Sequence, residues 1–409
     1  MALKYLYAPS GYKGGTAYGV LPNDSSADFD EFERNTFATR TNKDGLIESM
    51  GNNVPRLDYS DGGCPSLLLE SERTNICKYS EQITSWNKNP SSSAVIIRSN
   101  DEVAPNGEDT ADVVSVLTQY DGVYTASITS VIDTKYSCSA YVKHISGSSK
   151  IRLGITAGFH SGTGSKYVSF DLSDGSIILN ELDGEADFKS VYVGNGWYRL
   201  IIENCTGYGG SSHLVVYSYE SAFTEFAVWG GQIEVGSFTS SYIQNLSNGT
   251  TTRNGDAGNL AGNFNALDND SGVLEARFKA FDTDNTSRRI TLGATQYNRV
   301  VLGYGYNSGT VKPYLLIVGA TGNDEIYINM PSSFNIFDYN TYQLKFQSGN
   351  NELKINGELV DTDPTFKGLN FTFSALLTNI SLNYYNNSSN RIFQGGIKHI
   401  KVYDSITDF

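Results

Sequence analysis

Wherever this chain shows a regular pattern, the pattern has a period of two. Tyr136, Cys138, Ala140 and Val142 alternate with Ser137, Ser139, Tyr141 and Lys143. Ile151, Leu153 and Ile155 alternate with Arg152, Gly154 and Thr156, and Leu274, Ala276, Phe278 and Ala280 alternate with Glu275, Arg277 and Lys279. Leu344 and Phe346 repeat the pattern with Lys345 and Gln347. Successive strand residues point to opposite faces, so each run describes a half-buried β-strand. No long Ala/Leu/Glu/Lys stretch at helical spacing competes with them. The chain is therefore expected to be all-β, folded as antiparallel sandwiches of the jelly-roll type. A βα-repeat fold is excluded, and no period of solenoid or propeller length is present.

Composition agrees. Gly 41, Tyr 27 and Phe 20 stand against only 18% charged residues. Aromatic residues suit pleated, half-buried surfaces, and Gly suits tight turns. Lys+Arg 30 against Asp+Glu 44 gives a net charge of −14, with no basic run. Such a chain repels phosphate backbones and anionic membranes, so nucleic acid is not an expected partner. No window approaches the ~18 apolar residues of a membrane span, and Met1–Tyr18 carries no signal-peptide pattern.

Length allows two or three domains at about 150 residues each. Residues 1–75 pass through Pro22-Asn-Asp24, Asn42-Lys-Asp-Gly45 and Asp61-Gly-Gly63, all turn signals. With no sustained period, this stretch is expected to lie extended on another domain or a partner. Residues 76–256 form the first expected sandwich, and Ser173-Asp-Gly175 and Gly194-Asn-Gly196 mark its hairpins. A Gly-rich polar stretch over 247–262 links it to a second sandwich over 257–409. There Asn356-Gly357, flanked by apolar residues, predicts a type I′ hairpin turn.

Cys64, Cys77, Cys138 and Cys205 match no zinc spacing. Cys138 and Cys205 lie in strand-like runs, where a thiol acts as a small apolar residue. A disulfide between them and two reduced thiols both fit the sequence. His144, His160, His213 and His399 have no partner at metal or triad spacing, so no metal site is expected. Asp268-Asn-Asp270-Ser-Gly272 and Asp282-Thr-Asp284 resemble calcium-loop fragments without the closing Glu of an EF-hand. They leave room for a structural calcium, but no cofactor is required. Glu181-Leu-Asp183-Gly-Glu185 would align three carboxylates on one face if it were a strand, a row that retaining glycosidases use. Gly184 and the following Ala-Asp break strand character there, so an acidic turn is expected. No Gly-x-Ser-x-Gly elbow appears. No catalytic residue is assigned and no enzymatic activity is expected.

Several stretches resemble known proteins. Arg34-Asn-Thr-Phe-Ala-Thr-Arg40, Val54-Pro-Arg-Leu-Asp-Tyr59 and Gly62-Gly-Cys-Pro-Ser-Leu-Leu-Leu-Glu-Ser-Glu-Arg-Thr-Asn75 resemble a segment of bacteriophage virion and fibre proteins. The opening Ala2-Leu-Lys-Tyr-Leu-Tyr-Ala-Pro-Ser-Gly-Tyr-Lys13 is similar to such proteins too. Gly194-Asn-Gly-Trp-Tyr-Arg199, Val228-Trp-Gly-Gly-Gln-Ile-Glu-Val-Gly236 and Thr252-Arg-Asn-Gly-Asp256 resemble jelly rolls of the carbohydrate-binding-module type. Leu353-Lys-Ile-Asn-Gly357 and Phe393-Gln-Gly-Gly-Ile-Lys-His-Ile-Lys-Val-Tyr403 resemble concanavalin A-like or laminin-G-like sandwiches.

The resemblance implies a head or tail fibre or decoration subunit at the virion surface. It implies attachment through the N-terminal segment, for which Arg34, Arg40, Arg56, Tyr59 and Arg73 are the residues to watch. It also implies a homo-oligomer, a trimer by analogy, contacts with other virion proteins, and host-surface glycans as ligands. Alternatives are a polysaccharide depolymerase tailspike and a purely architectural subunit. Sugar binding needs aromatic faces with hydrogen-bonding groups beside them. The candidates are tyrosines in Gly/Asn-rich loops, namely Tyr297, Tyr304, Tyr306, Tyr384 and Tyr385, with Asn298, Asn307 and Asn386 nearby. Trp197 and Trp229 are expected in the core, and Trp86 has no assigned place.

Overall fold

The alternating runs become antiparallel sheets in a computed structural model of the chain. It describes residues 3–13, 16–21, 24–28, 31–90, 94–267, 271–281, 287–360, 363–382, 392–404, 406 and 409. For the described positions among 10–31, and for 259–266 and 294, only the backbone is described. The chain is all-β, as expected, with one α-helical turn at Pro364–Lys367 among the described residues. No helix among them is long and apolar enough to cross a membrane.

Two units emerge. One comprises Ala38–Ser49 and Glu72–Arg253; the other comprises Met1–Phe37, Met50–Ser71 and Asn254–Phe409. Residues 1–75, expected as one extended segment, are thus shared out between the units. Their strands find neighbours in both, because an unpaired strand leaves its backbone groups unsatisfied.

The 72–253 unit is a sandwich of two six-stranded sheets. The first runs in the order Asn87–Asn89, Gly122–Tyr124, Leu214–Ser218, Lys150–Thr156, Ser165–Asp171, Ser176–Asn180. The second runs Ile96–Val103, Asp109–Val116, Thr224–Val235, Lys135–Gly147, Trp197–Thr206, Asp187–Gly194. The chain repeatedly crosses between them, as in Lys135–Gly147 to Lys150–Thr156, so consecutive strands face each other across the core. Cys138, Ala140, Val142, Leu200 and Val228 from one sheet meet Ile151, Leu153, Ile155, Phe170 and Val216 from the other. All four cysteines are free thiols, and Cys138 and Cys205 are both buried in this core. Asn75 closes the motif that begins at Gly62. Its amide donates to Gly231 and Ile243 carbonyls (3.1 and 2.7 Å) and accepts from Cys77 and Ile233 amides (2.9 and 3.1 Å). Two donors and two acceptor sites are the full capacity of this side chain.

In the other unit, one sheet is built around Gly395–Tyr403, which pairs with Leu3–Lys13, Ser271–Ala280 and Ser66–Leu69. A seven-stranded sheet covers it, including Asn298–Asn307, Arg288–Thr295, Leu377–Ser381 and Ala257–Leu267. Residues 257–409 do not complete this core alone, since Tyr5, Tyr7, Phe32, Leu67 and Leu69 belong to it. Asn356 and Gly357 form the two-residue loop between Glu352–Ile355 and Glu358–Val360. Both take positive φ (51° and 87°), as a type I′ turn requires.

Four charged side chains lie buried in this same unit. Arg34 donates to Asp256 (2.9 Å) and to carbonyls of Gly51, Val54 and Thr36. Arg56 binds Glu70 (2.7 Å) and the second oxygen of Asp256. Backbone amides of Glu70 and Asp256 complete the exchange, one to the Asp256 carboxylate and one to the Glu70 carbonyl, each at 2.9 Å. Burial works against the Arg56 charge, but Asp256 and Glu70 outweigh it. Two positive and two negative groups leave the cluster formally neutral.

On the face of the Ser271–Ala280 sheet opposite the core, Glu275 receives Gln343 (2.8 Å) and Lys401 (2.7 Å) and contacts His399 at 2.9 Å. Burial pushes its carboxyl up, and these three hydrogen bonds outweigh that and hold it at about 2.

Removing one partner of a buried ion cluster leaves an uncompensated charge. Asp256→Ala is therefore expected to destabilise its unit by about 3–5 kcal/mol, measured by urea unfolding. Lys279→Ala, which breaks the surface pair with Asp61, should cost no more than about 1 kcal/mol. Glu275 gives a pH signature. Its folded value lies below the ordinary 4.5, so its stabilisation is complete above that value and is lost as pH falls toward about 2. The gap in melting temperature between wild type and Glu275→Gln should be largest near neutral pH and close toward pH 2.

Candidate functional site

Cross-strand neighbours share a sheet face, so register alone assembles a surface on the first sheet of the 72–253 unit. One row reads Asn89, Gly122, Tyr217, Arg152, Ser169. The next reads Asn87, Tyr124, Val215, Gly154, Tyr167. Their sequence neighbours Val123, Val216, Leu153, Val168 and Phe170 point the other way, into the core. The strand rule that fills the core therefore sends four tyrosines, Tyr124, Tyr167, Tyr217 and Tyr219, with two asparagines and an arginine to the opposite face.

Gly154 makes the close packing of this face feasible. A Cβ there would lie 2.4 Å from the Tyr167 ring and 2.8 Å from Val215. Tyr167 approaches Tyr217 at 6.1 Å and Tyr120 at 5.6 Å between ring centroids, and Tyr124 meets His213 edge-on at 5.2 Å. Tyr120 comes from the loop after Asp109–Val116. Its backbone is left-handed (φ 68°), a costly conformation for a bulky residue. Asn89 fixes it by donating to its carbonyl at 2.8 Å, and its own amide donates to Ser218.

Arg152 sits at the centre, 3% exposed. Its guanidinium lies 3.9 Å from the Tyr120 ring, 4.8 Å from Tyr219 and 5.5 Å from Tyr167. Ring faces are negative and attract the buried cation. Burial pushes the Tyr217 and Tyr167 hydroxyls above their ordinary value, so both are neutral donors at physiological pH. Tyr124, Tyr167 and Tyr219 are half-buried and Tyr120 is 39% exposed. Exposed aromatic faces beside asparagine amides can stack on the C–H faces of a sugar and bond its hydroxyls.

The tyrosines singled out in the sequence fall elsewhere. Tyr297 is 64% exposed in the turn before Asn298–Asn307, and Tyr306 is 40% exposed near the far end of that strand. At about 3.4 Å per residue they stand roughly 30 Å apart and make no common site. Tyr304 is corrected to a core residue. It is fully buried, its hydroxyl bonded to the Gln394 carbonyl, because it shares the inward face of its strand with Val300 and Leu302. Tyr384, Tyr385 and Asn386 lie outside the described residues, as do Asp268, Asp270, Asp282 and Asp284.

Among the attachment residues, Arg34 and Arg56 are also corrected: both are buried in the ion cluster and offer a partner nothing. Arg40 pairs with Glu48 at 2.9 Å, Arg73 stacks on Phe238 at 4.8 Å, and Tyr59 is half-buried. Trp86, Trp197 and Trp229 are all buried.

Glu181, Asp183 and Glu185 occupy a turn, not a strand. Glu185 is bound by Lys166 and Ser161, and Lys166 first holds its carboxyl below the usual range. Glu181 accepts the Tyr167 amide at 3.2 Å, and Asp183 is exposed. No group of His, Cys, Asp and Glu suited to a metal ion is found among the described residues.

Sequence reasoning missed the aromatic face. Its signal was Tyr217-Ser-Tyr219, two tyrosines at strand spacing, together with Arg152 and Gly154 on the polar side of Lys150–Thr156. No family model matches the chain, and no curated protein matches it.

Gly154→Ala tests the packing of the face. It is expected to displace Tyr167 and cost about 1–3 kcal/mol by thermal unfolding, with a changed near-ultraviolet tyrosine signal.

Proposed function

We propose that this chain is a structural protein of the bacteriophage virion surface, a fibre or decoration subunit, that binds host-surface glycans through the tyrosine-lined face of its 72–253 unit. The observation that carries the glycan reading is the convergence of Tyr120, Tyr167 and Tyr219 around Arg152, with Tyr124 in the adjacent row of the same sheet face. The virion reading rests on the resemblance of residues 34–75 and 194–256 to phage fibre proteins. Attachment to other virion proteins through the N-terminal segment is part of the proposal, with Arg40, Tyr59 and Arg73 as its partly exposed residues. Binding requires no hydrolysis, and the acidic turn at Glu181–Glu185 lacks the rigid strand geometry of a retaining pair.

Self-association has support of its own. Ser176–Asn180 forms one edge of its sheet and exposes Ile177, Ile178 and Leu179 in a row. Asp187–Gly194 forms an edge of the second sheet and exposes Val191 and Tyr192. Apolar edge strands invite pairing with another chain, here a second copy. Several weak sugar sites in one oligomer would add avidity.

The full chain, applied to an array of bacterial surface glycans, is expected to retain specific oligosaccharides. Tyr124→Ala combined with Tyr219→Ala should lower that affinity at least about tenfold with the circular dichroism unchanged, since stacking faces carry much of such binding. Retention of full affinity by the double variant would rule out this face as the platform.

A further inference from the structure

Arg152 carries more polarity than its surroundings use. Its Nε and Nη1 are buried and have no hydrogen-bond partner among the described residues. Ser169, directly opposite on the neighbouring strand, also has a buried hydroxyl without a partner. A guanidinium shielded from water and faced only by aromatic rings loses most of its hydration, and cation–π contact replaces only part of it. Carboxylates nearby are already engaged. Asp171 accepts from Ser149 and Ser173, and Glu220 accepts from Lys150 and Ser148. Side-chain edges of Arg152 and Ser169 therefore present N–H and O–H donors at one spot. A planar anionic acceptor matches a guanidinium edge with two parallel bonds.

We propose that this face selects acidic sugars, with Arg152 donating through one edge of its guanidinium to the carboxylate of a uronic or sialic acid while the surrounding tyrosines stack on the sugar ring. The selection rests on the glycan reading of the same face. Tyr120 covers the guanidinium at 3.9 Å and is itself on the exposed stretch 117–120. Its ring is the group that moves aside to admit the carboxylate. Ser169 then donates to the same carboxylate. The net charge of −14 works against an anionic ligand at long range, so recognition depends on contact with Arg152 rather than on steering.

The experiment uses the full chain and matched pairs of probes by isothermal titration and saturation-transfer NMR. Oligogalacturonate is compared with its carboxyl-reduced counterpart, and sialyllactose with lactose. At least one acidic member is expected to bind about tenfold more tightly than its neutral partner, the size of a charge-assisted hydrogen bond. Arg152→Gln should abolish that preference, and Arg152→Lys should restore part of it. Equal affinity within both pairs, with binding measurable, would overturn the selection and leave the glycan platform standing. Persistence of the preference in a folded Arg152→Gln protein would overturn the role of Arg152. No binding of either member would overturn the platform and the selection together. If both variants unfold, the wild-type comparison within each pair still decides.

Discussion

Arg34, Arg56, Glu70 and Asp256 meet where solvent does not reach, and the 254–409 sandwich depends on that meeting. Each charge alone would be too costly to bury. Together they are formally neutral, and the arginines find further acceptors in backbone carbonyls. The cluster joins three stretches distant in sequence, one around Arg34, one spanning Arg56 to Glu70 and one at Asp256. Arg34, Arg56 and Glu70 lie in the N-terminal segment, and Asp256 closes Thr252-Arg-Asn-Gly-Asp256. A β-sheet that takes strands from distant parts of a chain needs something to hold its early strands in place, and an ion cluster with fixed geometry does this more specifically than apolar contact.

The other unit shows how a surface follows from a core. Its three tryptophans are consumed by interior packing, with indole N–H groups of Trp86 and Trp197 bonded to the Tyr79 and Val103 carbonyls. Tyrosines on the opposite face keep a polar tip and an apolar ring available. Arg152 draws those rings together by cation–π contact, so the shape of the face depends on a charge at its floor. On the proposed glycan reading, the same charge gives the face a chemical preference that rings alone would lack.

Much of the fold was legible in the sequence because period two has one structural meaning. Leu274 to Ala280 and Ile151 to Ile155 read directly as half-buried strands, and Asn356-Gly357 as a two-residue turn. Partnership was not legible. Alternation tells a strand which side is inward but not which strand lies beside it, so the pairing of Leu3 with Tyr403 left no local trace. Burial of Arg34 and Arg56 was hidden for a related reason: a charged residue reads as exposed until its counter-charge, here some two hundred residues away, is known to be adjacent. Tyr304 erred in the opposite direction. Its alternation with Val300 and Leu302 marked it as inward, and the Gly-rich setting concealed that. Tyr124, Tyr167 and Tyr217 of the aromatic face escaped because they sit in strands, where an aromatic ordinarily reads as packing.

The insertion of one unit within the other fixes an order of events during synthesis. Everything the 72–253 unit requires has left the ribosome once Arg253 has emerged, so it can fold first. Arg56 and Glu70 must wait for Asp256, 186 residues after Glu70. At typical elongation rates of 5–20 residues per second that delay is roughly 10–40 s. The strand Leu3–Lys13 waits longer still, for Gly395–Tyr403. Through that interval the nascent chain carries one finished unit while its other strands have bare edges and two arginines remain unneutralised. The most exposed stage in the life of this protein is therefore its manufacture, when those edges are open to any neighbouring nascent copy.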